Sequence, residues 1–150
     1  MNYRTDLSED EKILMAIVRA AETFKRAASS LFNKYNLSFP QYNILRVLDA
    51  SEHGQTRITE VSRIMLVSGA NMTGLAKRLE KNGFILRKSD PNDERVTLLQ
   101  IAAKGKSVLT DIEASRDQLL ENIVQGFSAE EKKTVYSMVR RLLRNTRRLT

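Results

Sequence analysis

Along most of this chain, apolar residues recur three and four positions apart, the spacing that lines one side of an α-helix. The first such run extends from about Ser8 to Tyr35 through Leu14, Ile17, Val18, Ala21, Phe24, Ala28, Leu31, Phe32 and Tyr35. A second follows Leu37 with Tyr42, Ile44, Leu45, Val47 and Leu48 and is expected to end near Gly54. Ile58, Val61, Ile64 and Met65 mark a short third helix, and Met72, Leu75, Ala76 and Leu79 a fourth over Ser68–Lys81. Two more are expected, from about Ala103 to Gln125 and from Ser128 to the end. The pattern changes character once. Phe84–Lys88 and Val96–Ile101 are rich in aliphatic and β-branched residues and flank the polar turn Asp90–Glu94, which predicts a β-hairpin. The punctuation agrees: Ser8/Glu11, Ser38/Gln41 and Ser128/Glu131 are spaced as capping boxes, each pairing a serine oxygen with a carboxylate or amide three residues on.

Residues 58 to 101 are the most specific part of this pattern. Only Leu66 and Val67 separate the third helix from the fourth, and two helices joined by so short a turn form a helix-turn-helix whose second member is placed to enter a major groove. The hairpin that follows turns the unit into a winged helix-turn-helix. Ser68 can accept from the free N–H groups of the fourth helix, and Asn82-Gly83 closes it, because glycine takes the left-handed conformation that stops a helix. With Met72, Leu75, Ala76 and Leu79 turned inward, Gly69, Ala70, Thr73, Gly74, Lys77 and Arg78 form the outer face. A glycine inside a helix costs roughly 1 kcal/mol relative to alanine. Gly74 therefore reads either as a site of close approach by another molecule or as an incidental surface residue. Asn71 has the paired donor and acceptor that match adenine, Arg78 the fork that matches guanine, and Lys77 suits phosphate. The hairpin carries Arg87 and Lys88 on one arm and Arg95 at the return from the tip, within reach of a minor groove or a phosphate.

In these residues the chain resembles the MarR family of bacterial transcription regulators. The resemblance rests on Val67-Ser68-Gly69-Ala70-Asn71-Met72-Thr73-Gly74-Leu75, on Arg78-Leu79-Glu80-Lys81-Asn82-Gly83-Phe84, and on Asp90-Pro91-Asn92-Asp93-Glu94-Arg95 followed by Gly105. It implies that Ser68 to Arg78 line the major groove, that Asp93 orients the wing and that Arg95 reads the minor groove. The chain departs from the family pattern at Glu94, where a second basic residue is common, at Ala102, where Thr or Ser often caps the next helix, and at Leu66, a turn position often given to glycine. The resemblance also implies release of DNA by a small aromatic or phenolic anion bound between the dimerisation helices and the winged helix; Phe39, Tyr42 and Arg46 read either as lining of such a cleft or, for aromatic residues at helical spacing, as core, and no effector-binding residue is assigned from sequence.

Charge and composition narrow the picture. The formal net charge is +7, and Arg57 to Lys106 hold 10 basic against 5 acidic residues, a balance suited to a polyanion partner. The absence of Cys excludes disulfides and thiol chemistry, and the single His53 leaves no basis for a Cys–His pair or a typical transition-metal site, so neither an enzyme nor a cofactor is expected. No apolar run approaches the roughly 20 residues needed to span a bilayer, and no signal-peptide segment is evident; the expected location is the cytoplasm, with no membrane partner.

The expected fold is thus mainly α with a small β-hairpin wing: one domain over residues 1–150, with a winged helix-turn-helix over 38–101 flanked by dimerisation helices over 8–36 and 103–149. The expected function is that of a sequence-specific regulator, a ligand-responsive repressor binding an inverted repeat of double-stranded DNA as a homodimer. A nonspecific or architectural nucleic-acid binder is the alternative. A membrane-surface or protein-interaction module is a third class, suggested by Arg140, Arg141, Arg144, Arg147 and Arg148 beside Leu142, Leu143 and Leu149.

Overall fold

Helix α1, Glu9–Asn33, opens the structure, a computed structural model that describes residues 6–150. The Ser8 hydroxyl accepts from the Glu11 N–H at 3.2 Å while the Glu11 carboxylate accepts from the Ser8 N–H at 3.0 Å, so two otherwise orphaned donors are satisfied at once. The sequence pattern runs to Tyr35, but the helix stops two residues earlier. Asn36 adopts a left-handed φ of 62°, and the Leu37 N–H folds back onto the Phe32 carbonyl at 3.2 Å.

Helix α2, Phe39–Asp49, starts from the second capping box, Ser38 with Gln41. It covers its whole apolar pattern but ends at Asp49, before the expected stop near Gly54. A 3₁₀ turn over Glu52–Gly54 follows, and then a three-residue strand, β1 (Gln55–Arg57), that periodicity does not announce. Gly54 has a φ of +68°, and the Ile101 side chain lies 2.9 Å from where its Cβ would be, so both conformation and space require glycine there.

Helices α3 (Ile58–Met65) and α4 (Gly69–Lys81) form the helix-turn-helix, and β2 (Ile85–Asp90) with β3 (Asp93–Ile101) the wing. The sheet has the order β1-β3-β2 with both pairs antiparallel, so the expected hairpin is two strands of a three-stranded sheet. Its tip is tighter than expected. Pairing continues to Asp90 opposite Asp93, which leaves only Pro91 and Asn92 unpaired. The α3–α4 turn places Leu66 in the left-handed region at φ 54°, the conformation for which glycine is more usual.

Helix α5, Ala103–Ile123, follows β3, and α6, Ala129–Arg147, begins with the Ser128 capping box. The chain divides into two compact units, the first ending at Ala114 and the second covering Ser115–Thr150. Among the described residues, every fully buried large side chain lies in the first: Leu37, Ile44, Leu45, Leu48, Val61, Met72, Leu79, Ile85, Leu99 and Ile112. Gly105 on α5 belongs to this core, because a Cβ there would collide with the Phe84 carbonyl and the Ile101 side chain. In the second unit α6 has no buried residue, and Val135, Met138, Val139 and Leu143 are exposed along it. Among the described residues no helix is long and apolar enough to cross a membrane, and no three His, Cys, Asp or Glu side chains cluster as a metal site.

Candidate nucleic-acid interface

The surface built by α4 starts from its cap. The Ser68 hydroxyl accepts from the Asn71 N–H at 3.4 Å, and Met72, Leu75, Ala76 and Leu79 anchor the opposite side in the core. Ser68, Gly69, Ala70, Asn71, Thr73, Lys77 and Arg78 are exposed, and Gly74 is half-buried. Among the described residues, beyond its own chain neighbours and helix backbone, nothing lies within 4 Å of where a Gly69 Cβ would be, so packing does not ask for glycine at that position. At Gly74 the nearest neighbour is Arg78 Nη1 at 3.9 Å: the guanidinium lies back along the helix over the glycine, toward the turn that holds Asn71. Asn71 and Arg78 are seven residues apart and therefore nearly aligned on one side, two turns from each other. Thr73 donates its hydroxyl hydrogen to the Gly69 carbonyl at 3.0 Å, which leaves its methyl group as an apolar contact for a thymine methyl. Such a face admits a groove wall closely and offers polar readers at its margin.

The wing supplies the second set of cations. Arg95 is 90% exposed, and its guanidinium is steered by Asp93: Nε donates to Oδ1 at 3.1 Å and Nη2 to Oδ2 at 3.4 Å, while the Arg95 N–H donates to Oδ1 at 3.1 Å. The Arg95 guanidinium, with help from its own N–H and the charge of Arg57, holds the Asp93 carboxyl below its ordinary 3.8. Lys88 is exposed and donates to the Gln100 amide oxygen at 3.1 Å across the β2–β3 pair. Arg87, expected beside Lys88 as a DNA cation, has a different setting. Its fork donates to Glu80 of α4, and only 28% of its side chain is exposed.

Three residues important to this arrangement escaped the sequence reading. Asp90 is buried at the wing tip; its Oδ1 accepts from the Asn92 N–H at 2.9 Å and its Oδ2 pairs with Arg57 at 3.5 Å. Arg57 is the residue that precedes α3, so this pair ties the tip to the helix-turn-helix. The turn-forming Asp-Pro-Asn run signals the Asx turn at Asp90. Nothing local signals its partner Arg57 or the role of Glu80.

Two clefts flank the winged helix. One, of about 690 Å³, is lined by Lys25, Phe39, Arg46, Met65, Leu66 and Val67 among others. Of the three residues that the sequence left open between cleft and core, Phe39 and Arg46 line it. Tyr42 does not; it is buried and stacked on Phe32 with ring centroids 3.8 Å apart, and so belongs to the core. The second cleft, about 600 Å³, lies beside Lys104, whose ammonium donates to the Asn82 carbonyl at 2.6 Å and sits 4.6 Å above the Phe84 ring. That lysine thereby closes the end of α4.

A helix-turn-helix with a wing, a small-residue reading face and an arginine-bearing tip define a DNA-binding regulator. Residues 37–97 match the model of the MarR family. YxaD, an uncharacterized HTH-type transcriptional regulator of Bacillus subtilis (strain 168), is 31% identical over 107 residues that cover 71% of this chain and 73% of its own length. Sco3205, a MarR family transcriptional regulator from Streptomyces coelicolor solved in complex with DNA, is similar with a TM-score of 0.85 at 19% identity, over 97% of this chain and 92% of that one. NadR in complex with 4-hydroxyphenylacetate is similar with a TM-score of 0.75 at 22% identity, over 95% and 97%. The chain belongs to the MarR family of winged helix-turn-helix transcriptional regulators: it binds DNA and is not an enzyme.

Arg95→Ala is expected to weaken binding to a cognate duplex while leaving the melting temperature nearly unchanged, because an exposed wing side chain adds little to the core. Asp93→Ala should weaken binding in the same direction although it removes a negative charge, since the guanidinium then loses its guide. Filter binding or anisotropy beside a thermal melt checks both. A large fall in melting temperature for Arg95→Ala would assign that residue to structure, and tighter binding by Asp93→Ala would mean that repulsion outweighs orientation.

Proposed function

We propose that this protein is a homodimeric, ligand-responsive repressor that recognises an inverted repeat in double-stranded DNA and works in the cytoplasm. The observation that carries the sequence-specific part is the outer face of α4, where two glycines lie on the reading side and Asn71 and Arg78 are aligned beside them. Ser68, Gly69, Ala70, Asn71, Thr73, Gly74, Lys77 and Arg78 are the major-groove set, and Lys88, Asp93 and Arg95 the wing set. A nonspecific binder needs cations but no such aligned pair of base readers.

Ligand response is supported by the cleft between Lys25 on α1, Phe39 and Arg46 on α2, and the α3–α4 turn. Lys25 and Arg46, both exposed and each only loosely paired within its own helix (with Glu22 at 3.7 Å and Asp49 at 3.9 Å), lie beside an aromatic ring and apolar side chains, a lining that suits a small aromatic carboxylate or phenolate able to displace those acids. The turn that lines this cleft also sets the start of α4, so an occupant reaches the reading helix directly. The 4-hydroxyphenylacetate bound by NadR has this chemistry.

Selection of duplexes from a random pool tests the first part: enrichment of one inverted repeat is expected, and equal recovery of all sequences would favour the nonspecific reading. With the selected duplex as reporter, 4-hydroxyphenylacetate at millimolar concentration is expected to loosen binding by the native chain and not by Arg46→Ala. Release that is independent of Arg46 would move the effector site elsewhere.

A further inference from the structure

We infer that Glu80 and Arg87 form a positioning pair that fixes the wing relative to the reading helix, and that Arg87 works on Glu80 instead of on DNA. Glu80 lies in the last turn of α4 and Arg87 is the third residue of β2. One carboxylate receives three donors from this single residue. Arg87 Nε and its backbone N–H each donate to Glu80 Oε2 at 3.1 Å, and Nη2 donates to Oε1 at 3.1 Å. Both the side chain and the main chain of the wing strand are therefore pinned to the helix.

Glu80 has no local reason to be where it is. A carboxylate near a helix C-terminus opposes the helix dipole, and an acid on a helix that meets phosphates is repulsive. Both penalties are accepted for a tertiary contact. Without it, the only covalent link between α4 and β2 is Asn82-Gly83-Phe84, whose glycine, at φ +80°, is the most permissive residue type for rotation. A planar fork gripping a carboxylate removes that freedom more fully than a lysine could, because its two parallel hydrogen bonds fix an orientation as well as a distance. Arg87 holds the Glu80 carboxyl below its ordinary 4.5, as expected for a carboxylate that the pair keeps ionised.

Charge separates Arg87 from the DNA cations. Lys77 and Arg78 are exposed and carry no carboxylate partner among the described residues, and each adds a full positive charge to the surface. Arg87 is half-buried and neutralised as a pair. Its alignment opposite Leu99, a fully buried residue of β3, places it on the sheet face that meets the core.

The test uses the full chain, the duplex selected as above, and the variants Glu80→Gln, Arg87→Lys, Arg87→Ala and Glu80→Gln/Arg87→Ala. A positioning pair predicts that all four bind about tenfold more weakly. The double variant should lose no more than the single ones, and log K against log salt should keep the native slope. Glu80→Gln is the decisive member, because it removes a negative charge near DNA and is still expected to weaken binding. Binding by Glu80→Gln at native strength or tighter would overturn the inference. So would a slope reduced by about 0.9 in Arg87→Ala and restored in Arg87→Lys, the mark of a lost phosphate contact. Residual dipolar couplings of free Glu80→Gln give a readout that needs no DNA: the β2–β3 amides should report a changed or averaged orientation relative to α4, and native couplings would sink the proposal.

Discussion

Replacing Asn71 or Arg78 by alanine is expected to weaken binding to the selected duplex by roughly 1–3 kcal/mol and to relax the preference at one base pair for each residue. The expectation follows from position. Both side chains leave α4 on the same side, two turns apart, and the Arg78 guanidinium already lies along the helix over Gly74. An asparagine amide offers one donor and one acceptor, the pattern of adenine N7 and N6, while the arginine fork matches guanine O6 and N7. Lys77→Ala should behave differently: all sequences bind more weakly and the salt slope falls by about 0.9, as for one phosphate lost. Specificity profiling of the three variants by selection separates these outcomes. If Asn71→Ala and Arg78→Ala both left affinity and preference unchanged, the reading face would lie elsewhere.

Gly74→Ala sharpens the same argument. On helix propensity alone the change stabilises by roughly 1 kcal/mol, and among the described residues, beyond the glycine's own chain neighbours and helix backbone, no atom stands closer than 3.9 Å to the added carbon. The fold therefore tolerates the methyl group. A loss of DNA affinity in a variant whose melting temperature is unchanged or raised would show that the space above Gly74 is reserved for the duplex.

How far the sequence could be read depended on whether a feature is local. The three capping boxes, the Asn82-Gly83 stop and the stripe Met72, Leu75, Ala76 and Leu79 are each set by neighbours within one or two turns, and each appears as expected. Strand β1 leaves no trace in the periodicity, because three residues are too few to show alternation; only pairing with Leu98–Gln100 makes Gln55–Arg57 a strand. Helix α1 ends before the last apolar position, Tyr35, because left-handed Asn36 decides termination, and α2 ends at Asp49, just after its last apolar position Leu48, because a separate 3₁₀ turn takes the chain on to Gly54. At the interface, composition identifies cations but not their partners. Arg87 and Lys88 are adjacent and look alike in sequence, yet one grips Glu80 and the other stays exposed beside Gln100. That difference depends on the approach of α4 to β2, which no local pattern encodes.

The largest effect is expected from the DNA, not the protein: inserting half a helical turn, about 5 base pairs, between the half-sites of the selected duplex should abolish tight binding. The reason begins with uncovered apolar surface. On α1, Ile13, Leu14, Met15 and Val18 are about half exposed, and on α6, Val135, Met138, Val139 and Leu143 are similarly bare. Leu14 and Met15 lie four and three residues before Val18, and Val135, Met138 and Val139 three and four apart, so these residues form a stripe on each helix, with Ile13 at the edge of the first. Stripes of this kind mark an interface, and twofold pairing of identical chains is the commonest way to cover them. Two winged helices related by a twofold axis face successive major grooves about 34 Å apart, which requires half-sites about 10 base pairs from centre to centre. Half a turn more rotates one half-site to the far side of the duplex, and only one winged helix can then engage. Sedimentation should give a dimer at micromolar concentration, and Leu14→Glu or Val139→Glu, which place a charge in the stripe, should yield monomers that bind the duplex weakly. Those monomers should be indifferent to the insertion, because a single winged helix has no spacing to satisfy. A native chain that sediments as a monomer and tolerates the insertion would overturn both the pairing and the operator geometry.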